Sequence, residues 1–229
     1  MFFDPMYLLF AAPALLLMLY AQWRVNSTYK KYSKVLNMQK KTGAEIAGIL
    51  LRANGLSHIT VEETNGVLTD HYDPRKKVIR LSKDNYRVSS VSALGIVAHE
   101  VGHAVQDNTA YGPMRIRGAI APVANVGTWL GYGCFFLGII LSITNLVWLG
   151  VLLFSAAVIF ALITLPVEFN ASSRAKEMLM NNGLVTTTEM NGTAVVLSAA
   201  ALTYVAALLQ AVSSLLYYIF LATGMSKRE

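Results

Sequence analysis

Two histidines four residues apart, His99 and His103, flank Glu100 in the run Ala98-His99-Glu100-Val101-Gly102-His103. On a helix, a spacing of four sets both imidazoles on one face, where they can share a metal ion. The carboxylate beside the first histidine is then placed to take a proton from a water at that ion. This is the pattern of a zinc-dependent hydrolase, most often of peptide bonds. The alternative is a surface helix with two unconnected histidines, and the upstream residues argue against it. Between Val88 and Val97, apolar side chains recur at 91, 94 and 97, as on a buried helix. Gly95 and Gly102 lower helix propensity but permit close approach by a neighbour.

Two histidines do not complete a catalytic zinc site, which takes three protein ligands and keeps a place for water. The other histidines, His58 and His71, fall in a region that reads as strands and turns, where a lone histidine is ordinarily just a polar residue. Asp107 continues the series 99, 103, 107, but eight helical residues span ~12 Å, too far for one ion. It suits a cap or a supporting group better. Glu168, in Leu165-Pro166-Val167-Glu168-Phe169-Asn170-Ala171-Ser172, is the favoured third ligand. The alternative is an interfacial glutamate paired with Arg174 or Lys176. Two apolar segments separate Glu168 from His103, so two membrane crossings would return it to the same side. A carboxylate at a membrane edge is costly and often functional.

The elements that must position these residues follow from charge and hydropathy. Of 229 residues, 55% are hydrophobic and 14% charged, against about 25% charged in an ordinary soluble domain. Residues 5–23, 119–141, 146–167 and 194–222 contain no Asp, Glu, Lys or Arg. Each is long enough to cross a hydrocarbon core ~30 Å thick. A chain this small has too little polar material to bury four such helices in a soluble core. The predicted organisation is therefore mainly α, with about four transmembrane helices and a small α+β unit at 24–117 that carries the histidines. A second polar segment, at 168–193, carries Glu168. The N-terminus, Met1-Phe-Phe-Asp4, lacks the basic region of a secretory signal, so the first segment reads as a retained anchor.

Of 19 Lys and Arg residues, 15 lie between Arg24 and Arg117, and the loop 142–145 has none. The positive-inside rule then predicts an outside N-terminus and a cytoplasmic face for both polar segments. Lys227-Arg228 fits that topology poorly. The net charge of +6 reads as membrane orientation, and no nucleic-acid partner is expected. The single cysteine, Cys134, lies in an apolar segment, so neither an intrachain disulfide nor a cysteine zinc site is expected.

Within the polar block, Thr42-Gly-Ala-Glu45 predicts a capped helix start, with the helix ending at Asn54-Gly55. Residues 59–64 and 77–82 predict strands, with 77–82 the expected sheet edge for a peptide substrate, and Tyr72-Asp-Pro-Arg75 a turn. Gly127-x-x-x-Gly131 offers a helix-packing face.

The combination of an N-terminal anchor, Leu68-Thr-Asp-His-Tyr-Asp-Pro74, Ile79-Arg-Leu-Ser82, Ala98-His-Glu-Val-Gly-His-Ala-Val-Gln-Asp107 and Leu165-Pro-Val-Glu-Phe-Asn-Ala-Ser172 resembles the bacterial neutral zinc metallopeptidase family called YugP-like. The motif order is also similar to that of HtpX-type membrane proteases and CAAX prenyl proteases. The resemblance implies a gluzincin-like zinc endopeptidase of the bacterial plasma membrane. His99, His103 and Glu168 would be its Zn2+ ligands and Glu100 its general base. Related enzymes place an aspartate four residues after the glutamate ligand to orient a ligand histidine. This chain has Ser172 there, so Ser172, Asn170 or Asp107 is the expected support. For the oxyanion, Arg174, Tyr72 and His71 are candidates.

The expected partners are the lipid bilayer, a peptide or membrane-protein substrate, and further copies or subunits in a membrane complex. The competing class is a zinc-binding scaffold subunit that no longer cleaves, which would not need Glu100. A metal transporter fits less well, because its site would be expected inside an apolar segment.

Overall fold

The computed structural model describes residues 5–226, so the charges at Met1–Asp4 and Lys227-Arg228 lie outside the described residues. The elements in chain order are α1 (Pro5–Tyr32), α2 (Gly43–Ala53), β1 (Thr60–Thr64), β2 (His71–Asp73), β3 (Val78–Ser82), α3 (Lys83–Arg87), α4 (Val91–Asn108), α5 (Gly112–Ile140), α6 (Thr144–Asn181) and α7 (Thr187–Ser226). The protein is mainly helical with a small α+β unit, as the hydropathy pattern predicts. Among the described residues, α1, α5, α6 and α7 are long and apolar enough to cross a membrane.

The chain forms two compact units. Among the described residues, one takes in 5–21, Gly112–Pro166 and 203–226. Here α5 and α6 meet at backbone distance because glycines leave no side chain between them. A Cβ on Gly131 would lie 2.9 Å from the Phe154 nitrogen, and one on Gly138 would lie 2.6 Å from the Val147 nitrogen. The Gly127-x-x-x-Gly131 face is therefore taken up by α6 of the same chain. Phe135, Val147, Val151 and Ala222 form a buried cluster flanked by Tyr218 and Ile219.

The other unit comprises Gln22–Tyr111 and Val167–Leu202. Helix α2 starts on the predicted capping box. The Glu45 carboxylate accepts from the Thr42 backbone N–H at 2.7 Å, and the Thr42 hydroxyl accepts from the Glu45 N–H at 3.3 Å. Its apolar face (Ile46, Ala47, Leu50, Leu51) is buried, and the chain turns away at Gly55 with φ of +71°. The sheet order is β1-β3-β2, with β3 parallel to β1 and antiparallel to β2.

Strand β3 is therefore central, which corrects the expectation that 77–82 is an edge. Val78, Ile79, Leu81 and Ser82 are all buried, so both faces of the strand are covered as well as both edges. The second partner is the short strand β2, in a stretch whose Asp-Pro turn signal masks it.

Helix α4, which carries the histidines, is capped by Ser90, whose hydroxyl accepts from the Ala93 N–H. Val91, Leu94, Val97, Ala98, Val101 and Ala104 are all buried. Helix α6 does not break at Pro166 but continues through Glu168 to Asn181. At Gly102, α4 touches the later part of α6 so closely that a Cβ would stand 2.7 Å from the Ala171 carbonyl oxygen.

That approach gives a prediction. Gly102→Val must push α4 off α6, at a cost of about 1–3 kcal/mol of stability. Gly118→Ala, in open space on α5, should have no such effect. Thermal unfolding of the two variants checks this, and equal midpoints would contradict it.

Candidate metal centre

The second unit brings His99 and His103 of α4 against Glu168 of α6. Along α4 the two histidines are ~6 Å apart, and both rings lean to the same side. Their centroids are 4.7 Å apart, with planes at 85°. His99 Nε2 lies 3.2 Å, and His103 Nε2 3.5 Å, from the same Glu168 oxygen, Oε2. One donor atom from each residue lies within 4.8 Å of the others, so the three could hold a single ion. His58 and His71 are exposed and stand outside this group; the ring Nδ1 of His71 meets the Thr69 carbonyl at 2.8 Å.

The rings are held from behind. His99 Nδ1 is 3.1 Å from the Ser172 hydroxyl, one helical turn beyond Glu168 on α6. His103 Nδ1 donates to Gln106 Oε1 at 2.9 Å. Gln106 is fully buried and donates from Nε2 to the Val167 carbonyl at 2.8 Å and to Asn170 Oδ1 at 3.0 Å. Arg174 Nε donates to the same Asn170 oxygen at 2.8 Å. Ser172 thus sits behind one histidine, while Asn170 reaches the other through Gln106. Sequence reasoning missed Gln106. Its signal was available: a polar side chain three residues after His103, at a buried position of a helix whose other buried side chains are mostly apolar.

Asp107 faces elsewhere. Its Oδ2 accepts from the Tyr72 hydroxyl at 2.7 Å and from Lys77 Nζ at 2.6 Å, tying α4 to the sheet. Burial, then the hydrogen bond and the charge of Asp107, hold the Tyr72 phenol well above its ordinary pKa. Tyr72 is thus a neutral donor already committed to Asp107. Arg174, another oxyanion candidate, spends its Nε on Asn170.

Electrostatics at the site favour charge on His103. Burial pushes the His103 pKa down, but its hydrogen bond to Glu168 and the negative charges of Glu100 and Glu168 outweigh this and raise it above the ordinary imidazole value. Glu100 is only 8% exposed. Among the described residues, its carboxylate makes no hydrogen bond and no ion pair.

The donor set fits zinc. Two imidazole nitrogens and one carboxylate oxygen suit a borderline ion, and three protein ligands leave a coordination position open. Both Nδ1 atoms are engaged from behind, so both Nε2 atoms are turned to the carboxylate.

The similarities to known proteins agree with that chemistry. The family described as "Putative neutral zinc metallopeptidase" matches residues 7–223. The "Putative membrane protease YugP" of Bacillus subtilis (strain 168) is 49% identical over 208 residues, covering 91% of this chain and 92% of that protein. No solved structure matches the chain.

Protons and zinc compete for the same Nε2 atoms, so zinc affinity should be full above the imidazole range and fall as pH drops through it. The raised pKa of His103 moves the loss to higher pH than an ordinary histidine would give. Chelator competition from about pH 8 to pH 5 measures this. A pH-independent affinity would contradict the assignment of histidine ligands.

Proposed function

The chain belongs to this family of neutral zinc metallopeptidases, and from that membership we propose a membrane-embedded endopeptidase that holds zinc on His99, His103 and Glu168 and uses Glu100 as general base. The observation that carries the reading is Glu100 itself. A carboxylate only 8% exposed, and without a hydrogen bond among the described residues, lies near enough to His103 for its charge to act on that ring, whose Nε2 converges with that of His99 on Glu168. A scaffold has no use for such a group.

Zinc bound there would supply a Lewis acid that acidifies a water and polarises the scissile carbonyl. Glu100 takes the proton from the attacking water as its oxygen bonds to the carbonyl carbon. It returns that proton to the amine nitrogen as the C–N bond breaks. Ser172 and Gln106 keep the ligand rings in place through both proton transfers. The apolar helices support a membrane protein, and the concentration of basic residues between Arg24 and Arg117 supports a site facing the cytoplasm. Substrates there would be unfolded membrane proteins or membrane-anchored tails.

Metal analysis and turnover of a membrane-anchored unfolded reporter test the assignment. Glu100→Gln should keep its zinc and lose about 10²–10⁴-fold in rate. Glu168→Ala should lose zinc or bind it far more weakly. Equal turnover by wild type and Glu100→Gln would remove Glu100 from the chemistry, and full zinc affinity in Glu168→Ala would remove Glu168 from the ligand set.

A further inference from the structure

We propose that Gln106 is the positioning residue that fixes His103 as the Nδ1–H tautomer, its amide held in that sense by two anchors on α6, the Val167 carbonyl and the Asn170 oxygen that Arg174 orients. The inference rests on the zinc reading above and adds to it the device that prepares one ligand for the ion.

The argument is one of donors and acceptors. An Arg174 N–H can only donate, so the Asn170 atom that meets it must be the oxygen. The Val167 carbonyl can only accept, so the Gln106 atom that meets it must be the amide nitrogen. That same nitrogen then donates its second hydrogen to the Asn170 oxygen. With its NH2 committed twice, Gln106 has only its oxygen left for His103. An oxygen can only accept, so His103 Nδ1 must carry the hydrogen. In the neutral ring the lone pair is then on Nε2, the atom that faces Glu168. The direction of every bond from Arg174 to His103 follows from groups that have no alternative role.

The two ligand histidines differ in this respect. Ser172 behind His99 can donate or accept, so it holds that ring without choosing its tautomer. Both supports are neutral, where a carboxylate is common behind a zinc-bound histidine. A carboxylate in place of Gln106 would set oxygen against the Val167 and Asn170 oxygens. An amide is the side chain that can accept from the histidine and donate to α6 at once. Gln106 therefore joins α4, which carries two ligands, to α6, which carries the third.

The test compares wild type with Gln106→Leu, Asn170→Leu, Arg174→Leu and Ser172→Ala by two measurements. Zinc affinity is measured by chelator competition. Exchange of the ligand-ring N–H protons with solvent is measured by proton NMR of the cobalt(II)-substituted protein. Gln106→Leu should bind zinc about 10- to 100-fold more weakly. The His103 Nδ1–H, protected in wild type, should exchange rapidly. Arg174→Leu and Asn170→Leu leave His103 untouched and should speed exchange of that same proton with a smaller loss of affinity. They decide the matter if Gln106→Leu does not fold. Ser172→Ala should leave the His103 proton protected.

Wild-type affinity and exchange in both the Gln106 and Arg174 variants would overturn the proposal. So would a lowered unfolding temperature in Gln106→Leu with neither readout changed, since that marks a purely structural role. Failure of the wild type to bind zinc or cobalt would instead bring down the zinc reading, and this proposal with it.

Discussion

The second unit is organised around one carboxylate oxygen. Glu168 is 2% exposed, and a buried carboxylate is strongly unfavourable unless charge and hydrogen bonds compensate. Both histidine Nε2 atoms supply that compensation at a single atom, Oε2. The surroundings follow from bringing α4 and α6 close enough for this. Gly102 removes the side chain that would hold the helices apart, and Gln106 and Ser172 join them on either side of the ligands. A site in which like partners converge on one oxygen is a site in which a cation can replace protons.

Helix α6 ties this arrangement to the apolar part of the chain. One continuous helix carries an uncharged stretch in the first unit, then Glu168, Asn170, Ser172 and Arg174 in the second. Helices α1 and α7 likewise contribute to both units. The carboxylate and its supports thus stand on an element whose other half is apolar enough to cross a membrane. They owe their spacing to helical geometry, since positions 168 and 172 fall one turn apart. Precision of this kind is more easily reached on a helix than on a loop.

Much of this was legible in the sequence. His99, Glu100 and His103 announce themselves by spacing alone, and the uncharged runs give the four long helices. Glu168 was reachable because the number of apolar segments between it and His103 is even. The capping box at Thr42 and Glu45 and the stop at Gly55 are local chemistry, and local chemistry reads well. What did not read were features that depend on distant partners. The central place of β3 depends on β2, three residues hidden beside an Asp-Pro turn signal. The unbroken course of α6 through Pro166 ran against the usual rule that proline ends a helix, a rule that relaxes in long apolar helices. Gln106 looked like one polar residue among many, because its partners Val167 and Asn170 lie more than sixty residues away. Gly127 and Gly131 showed a packing face but not which helix would fill it.

The central claim is that two histidines and one carboxylate hold zinc at this junction of α4 and α6. X-ray absorption at the zinc edge of the purified, zinc-loaded protein tests it most directly. The account predicts one zinc per chain, with the multiple-scattering signature of two imidazoles at about 2.0–2.1 Å, oxygen in the remaining positions and no sulfur. A sulfur shell at about 2.3 Å, or a zinc environment unchanged when His99 and His103 are both replaced by alanine, would contradict it.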